Sequence, residues 1–287
     1  MSAETPKLFR FASASIAVTR SYTVLPLALL AYGVGRTAGA EAWHALPASA
    51  AIACAVAGGY AYNDLRDQTL DRHNRPRRPI VSGRLSIRAV QLLISALFTA
   101  AFFFALWTLS WRTITFIALL IVSACLYSDY VKQIPGLKNV FVGLWCGALP
   151  WGASLDVLQP ATALPAMAVV ALFVLQKELL ADVYDLDGDV AAGIRTIPAI
   201  TSPRIALGIV ALLNVASWIF VRVLDSGSLF ASLQTAGEAV ATINILAMII
   251  VFVKITRITI RAYLELQKFF LIGGCLGLFL ILIATQP

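Results

Sequence analysis

Four oxygen-bearing side chains fall within nine positions of this sequence: Asn63, Asp64, Asp67 and Asp71. The chain then turns abruptly basic, with Arg72, Arg75, Arg77 and Arg78. A second acidic stretch, Glu178, Asp182, Asp185 and Asp189, lies far along the chain. On a helix continuing to Asp71, the 3.6-residue period puts the first set within about 100° of arc. It puts Asp182, Asp185 and Asp189 within about 60°, with Glu178 joining that stripe one turn earlier. Carboxylates on one face repel one another unless a cation sits among them. Hard divalent cations suit such oxygen clusters, Mg²⁺ above all, and bind through a few carboxylates plus substrate phosphates. Each stretch reads as half of a metal–diphosphate site, and the two faces could hold two Mg²⁺ ions between them.

The chemistry open to such a site is narrow. Carboxylates bridged by Mg²⁺ grip a diphosphate, and nearby Arg and Lys neutralise its remaining charge and stabilise it as a leaving group. Hydrolytic release of phosphate would need a positioned water. From an allylic ester the diphosphate leaves a carbocation instead, which an apolar, water-free cavity protects until an acceptor captures it.

The elements that must position these residues are apolar helices. The chain has 287 residues, 60% of them hydrophobic and 13% charged, with mean hydropathy +0.84. That composition describes a polytopic helical membrane protein and excludes an ordinary soluble enzyme. The net charge of +7 does not indicate nucleic acid, because the basic residues fall between apolar segments and no nucleic-acid motif appears. Cys54, Cys125, Cys146 and Cys275 lie scattered in apolar segments without metal or redox spacing. Arg20 interrupts the first apolar stretch, which reads as a first helix and not a cleaved signal peptide.

Nine membrane helices are expected, at about 11–34, 43–62, 87–109, 113–127, 139–153, 161–180, 204–223, 229–253 and 266–285. Pro150 should bend the fifth. They should form a bundle around a central cavity, capped by the motif loops. The chain is expected to be one domain over 1–287, with pseudo-halves of roughly 11–135 and 136–260. With the N-terminus in the cytoplasm, the loops between even and odd helices carry most of the Lys and Arg, and the opposite loops hold only Arg36, Arg112 and Arg222. This positive-inside bias places both acidic clusters at the cytoplasmic face. Arg20, inside the first helix, has two readings: binding an acceptor's anionic group, or snorkelling to the near interface.

Asn63-Asp-x-x-Asp67-x-x-x-Asp71 and Asp182-x-x-Asp185-x-x-x-Asp189 resemble the paired motifs of the UbiA-type intramembrane prenyltransferases. The resemblance covers nearly the whole chain. It implies that Asn63, Asp64, Asp67, Asp71, Asp182, Asp185 and Asp189 take part in Mg²⁺–diphosphate binding, and that Asp67, Asp71 and Asp185 belong to the catalytic set. Tyr127, Lys132 and Asn139 match the family's polar patch after the fourth helix, where they would contact the diphosphate or stabilise its departing charge. Arg78 and Arg84 match the basic part of the first motif loop. The short spacing from Asp71 to the Arg-Pro run is similar to the digeranylgeranylglyceryl phosphate synthase and chlorophyll synthase branches, with Val81 and Ala181 as departures.

The resemblance implies a Mg²⁺-dependent enzyme that moves a prenyl group from a prenyl diphosphate to a lipophilic or aromatic acceptor, in contact with membrane lipids. Two alternatives stand beside it. A terpene cyclase of the same fold would capture the cation internally. A transporter would use the acids as an ion site, but such sites lie near the bilayer midplane in broken helices, whereas these acids close helix ends beside an Arg-rich loop.

Overall fold

The first predicted helix is two helices. In the computed structural model, α1 (Lys7–Thr19) and α2 (Ser21–Thr37) meet at Arg20, and the chain bends there by 55°. Arg20 has a left-handed backbone, φ 49°, a conformation that costs a residue with a Cβ about 1–2 kcal/mol. The structure describes residues 7–157, 160–223 and 228–284; of the polar N-terminal stretch that the sequence leads one to expect over 1–10, residues 1–6 lie outside it. The described residues hold only helices, turns and loops.

The helix expected at 43–62 is α3 (Ala42–Arg66), which stops one residue short of Asp67 instead of running on to Asp71. A short α4 (Gln68–Asn74) follows. Next come α5 (Ile87–Trp107) and α6 (Trp111–Asp129), whose first turns are capped by Ser86 and Ser110 accepting from the amides of Ala89 and Thr113. α7 (Leu137–Ala148) ends before Pro150, in a 3-10 turn at Leu149–Trp151, so the expected bend is a termination. α8 (Pro160–Ala191) runs on through the whole second motif. α9 (Ile197–Ile200), α10 (Pro203–Val223), α11 (Ser228–Val253) and α12 (Arg257–Ala284) complete the chain.

Two compact units form: α1–α6 with the segment that starts at Leu149, and α7–α11 with α12 through Leu278. In the first, α3 packs against α2, α5 and α6. Its small residues allow the approach: a Cβ on Gly58 would lie 2.5 Å from the Phe98 ring, and one on Gly59 3.1 Å from the Ala124 Cβ. Leu92, Phe103 and Leu119 remain on the outside of α5 and α6, as a lipid-facing surface requires. Trp43, Trp107 and Trp111 are exposed at the unit's other end, away from the first motif, the usual place of an interfacial aromatic belt.

In the second unit α8 packs against α7 and α10. Leu179, Leu180, Val183, Leu207, Val210 and Tyr263 form its core. Gly143 and Gly147 let α7 approach α8 closely: a Cβ on either would fall 2.9 or 2.8 Å from the carbonyl oxygens of Ala171 and Met167. Among the described residues, Ala42–Arg66, Ile87–Trp107, Trp111–Gln133 and Pro203–Phe220 are each long and apolar enough to cross a bilayer, with the bent α1–α2 pair as a fifth span.

Candidate active site

The first unit gathers its charged groups at the C-terminal end of α3. The last turns of α3 carry Asn63 and Asp64, and Asp67 sits at the junction with α4 (φ −92°, ψ 12°). The Asp67 amide donates to the Asn63 carbonyl at 2.9 Å and the Asp71 amide to the Asp67 carbonyl at 2.8 Å, so Asp67 closes α3 and opens α4. Asp64 and Asp71 are only 3% and 4% exposed. Such burial is tolerable only with partners. Arg78 Nη1 provides one, donating to Asp64 Oδ1 and, at 3.0 Å, to Asp71 Oδ2. Arg20 provides another, its Nη2 3.1 Å from Asp64 Oδ1 and its guanidinium 4.2 Å above the Tyr60 ring. The residue that breaks the first helix is therefore bound to the first motif.

Arg78 is delivered by an ordered loop. The amides of Arg78, Ser82 and Leu85 donate to the carbonyls of Arg75, Arg78 and Pro79, and Gly83 supplies a turn residue at φ 71°. Ile80 and Leu85 fasten the loop to Ala14, Val18 and Ala61. Arg84 serves the loop itself: its Nη2 donates to the Arg77 carbonyl at 2.6 Å and its Nε to Ser82 Oγ at 3.1 Å, with the side chain exposed.

Burial pushes the Asp71 carboxyl up to about 6, against the pull of Arg78, and Asp64 and Asp67 push it the same way. Asp64 and Asp67 thus lie close enough to oppose the ionisation of Asp71, which a cation among them would relieve. The donors are all oxygen, so the set suits a hard ion such as Mg²⁺. Among the described residues, no three acid, imidazole or thiol groups are already gathered as a metal cage.

Asp129, which was not a sequence candidate, ties α6 to α3. Its Oδ2 accepts from Tyr62 Oη at 3.0 Å, and its Oδ1 lies 2.6 Å from Arg66 Nε. Tyr127, half-buried, stands two residues before it on the last turn of α6.

The second unit builds its own charged end. Because α8 is unbroken, Asp182, Asp185 and Asp189 do share one stripe; Asp182 and Asp189 are buried and Asp185 is half-buried. Asp182 Oδ1 accepts from Lys138 Nζ at 2.6 Å, and its Oδ2 accepts from Asn139 Nδ2 at 2.9 Å. Asn139 is 1% exposed, and its Oδ1 has no hydrogen-bond partner among the described residues. Lys138 is a site residue that sequence reasoning passed over, although it directly precedes Asn139. Lys132 is half-buried in a 3-10 turn at Val131–Gln133. Glu178 pairs with Lys177 at 2.6 Å. Beyond the motif Gly193, at φ 70°, ends α8, and the Ile194 amide returns to the Asp189 carbonyl at 2.8 Å.

Apolar helices ending in buried acids held by arginine or lysine define an α-helical membrane protein equipped to hold a polyanion. The profile of the UbiA prenyltransferase family matches residues 24–283, and the chain belongs to that family. It is 33% identical over 200 residues to the digeranylgeranylglyceryl phosphate synthase of Methanoculleus marisnigri, covering 68% of this chain and 70% of that one. It is 32% identical over 177 residues to the same synthase of Natronomonas pharaonis, covering 61% and 62%. The fold matches a UbiA homolog from Aeropyrum pernix K1 (TM-score 0.69, 20% identity, 93% of this chain and 96% of that one). It also matches a UbiA homolog from Archaeoglobus fulgidus bound to GPP and Mg²⁺ (TM-score 0.68, 17% identity, 95% and 100%). The chain is accordingly an integral membrane enzyme of prenyl transfer.

Proposed function

We propose that this enzyme transfers a prenyl group from an allylic prenyl diphosphate to a lipophilic acceptor, releasing diphosphate at the cytoplasmic face. The acceptor class we favour is a prenylated glyceryl phosphate, on the strength of the synthases it resembles; an aromatic acceptor is the other class the site chemistry accommodates. The observation that carries the reading is the pairing of buried Asp64 and Asp71 with Arg78 and Arg20 at the end of an apolar helix. The arrangement brings metal-binding oxygens and anion-binding cations to one place.

Mg²⁺, taken here as two ions, would supply charge neutralisation for the leaving diphosphate. Asn63, Asp64, Asp67 and Asp71 of the first unit are one proposed set of ligands for it, and Asp182, Asp185 and Asp189 of the second unit are another. Arg78, Lys132, Tyr127 and Asn139 would contact the diphosphate oxygens, and Arg84 would add positive potential from the loop. The C–O bond of the ester breaks with its electron pair going to the diphosphate. The acceptor then adds to the allylic carbon and loses a proton. Apolar helix surfaces keep water from the cation. Our reading keeps nine spans, with α1 and α2 as one and α3, α5, α6, α7, α8, α10, α11 and α12 as the others; four of these helices and the bent pair meet the length and hydropathy of a span by themselves. The charge bias of the loops supports cytoplasmic motif ends.

The test is a product screen by mass spectrometry on purified protein, with allylic donors of graded length, Mg²⁺, and glyceryl phosphate or aromatic acceptors. Prenylated acceptor, lost in Asp67→Ala, is the expected result. A cyclic hydrocarbon or alcohol from the donor alone would show a cyclase, and normal transfer by Asp67→Ala would defeat the site assignment.

A further inference from the structure

Asp64 offers one oxygen, Oδ1, to two guanidinium groups from different parts of the chain. Arg78 comes from the loop that follows the motif and also holds Asp71. Arg20 comes from the kink between α1 and α2, and nothing in the motif itself calls for it. The kink is built to hold it there. The backbone at Arg20 is left-handed, Thr19 Oγ1 donates to the Ser15 carbonyl at 2.8 Å and lies 2.7 Å from Ser21 Oγ, and the guanidinium stacks on Tyr60, one helical turn before Asp64. The four groups bring together two positive and two negative charges, with both carboxylates buried, and Asp67 and Arg75 add one charge of each sign within reach of Asp71.

We propose that Arg20 is a tethered counter-cation that couples metal binding to diphosphate binding; this rests on the metal–diphosphate reading above. A divalent ion entering alone competes with Arg20 for Asp64 and leaves the set with two surplus positive charges in a poorly solvated place. A diphosphate entering with the metal removes that surplus and gives the displaced guanidinium an anion to bind. Metal and diphosphate therefore each bind weakly alone and tightly together. Without Arg20 the set carries one net negative charge. The metal then binds readily by itself, and much of the mutual reinforcement disappears.

The experiment is titration of purified protein with Mn²⁺, read by electron paramagnetic resonance, in the absence and presence of inorganic diphosphate. In the wild type, diphosphate should tighten Mn²⁺ binding strongly. In Arg20→Gln, Mn²⁺ alone should bind about tenfold more tightly than to wild type, from removal of one nearby charge screened by salt, and the reinforcement by diphosphate should shrink by a similar factor. Arg20→Lys, which keeps the charge, should stay near wild type, separating this role from packing at the kink. Arg20→Met keeps the stem against Tyr60 and serves in place of the Gln variant if that does not fold. Unchanged Mn²⁺-only affinity in the neutral variants, with wild-type reinforcement intact, overturns the inference and leaves the proposed activity standing. A wild type that binds Mn²⁺ with no response to diphosphate overturns both.

Discussion

Lys138 of α7 and Asp182 of α8 form an ion pair with 2.6 Å between Nζ and Oδ1, and neither side chain is more than 15% exposed. The pair, with Asn139 on the other carboxylate oxygen, is what joins the second motif to the helix beside it. Removing one partner of a buried pair leaves a charge without compensation, which typically costs about 3–5 kcal/mol. Lys138→Met is therefore expected to lower thermal stability in detergent more than Lys138→Arg, and to raise the donor KM more than Asn139→Ala does. A melting curve and a donor titration for the three variants check this.

Asp67 and Asp185 are the half-buried acids of their motifs, so truncating either leaves the packing around it largely in place. Each change to Ala should reduce turnover by at least about 10²-fold, the scale seen when a preorganised charge-stabilising group is lost. The melting temperature should move little. Parallel turnover and melting measurements decide the matter: a large fall in both would assign these acids a structural role.

The Asp71 carboxyl sits at about 6 in the fold, above its ordinary value of 3.8. The fold therefore favours its protonated form. That contribution is fully present below about pH 4 and is lost as pH rises through 6, amounting to at most about 3 kcal/mol. Metal-free wild type should accordingly lose stability between pH 4.5 and 7 relative to Asp71→Asn. Denaturation midpoints across that range test the sign; parallel curves for the two proteins would contradict it.

Gly147 faces the Met167 carbonyl across the α7–α8 contact, where a Cβ would fall 2.8 Å from that oxygen. Backbone cannot retreat as a side-chain tip can, so Gly147→Val should force the helices apart. The expected outcome is a loss of stability of a few kcal/mol together with weaker diphosphate binding, because Lys138 and Asn139 ride on α7. Gly208, with open space around it, is the control: Gly208→Ala should be neutral or slightly stabilising.

Leu109 closes the α5–α6 turn at φ 53° with 85% of its surface exposed. It has little packing to lose and a strained backbone to relieve, so Leu109→Gly should raise the melting temperature by the equivalent of up to about 1 kcal/mol. A lower melting temperature would show that the leucine is anchored by lipid.

The chemistry of this protein was legible along the chain because it is periodic. Acid spacings of three and four residues survive wherever a helix runs unbroken, as α8 does through Asp182, Asp185 and Asp189. Apolar runs of membrane length announce helices whatever packs around them. The first motif was less legible, because α3 stops at Arg66 and the arc drawn through Asp71 assumed a continuous helix. Tertiary structure alone decided who holds the acids. Arg20 lies 44 positions from Asp64, and Lys138 lies 44 from Asp182. A long side chain's partner is set by which helices pack together and how they are turned, and no local pattern records that. The kink at Arg20 is the sharpest case: the sequence showed a charge in an apolar helix, while its pairing and its left-handed backbone arise only once α3 brings Asp64 and Tyr60 to meet it.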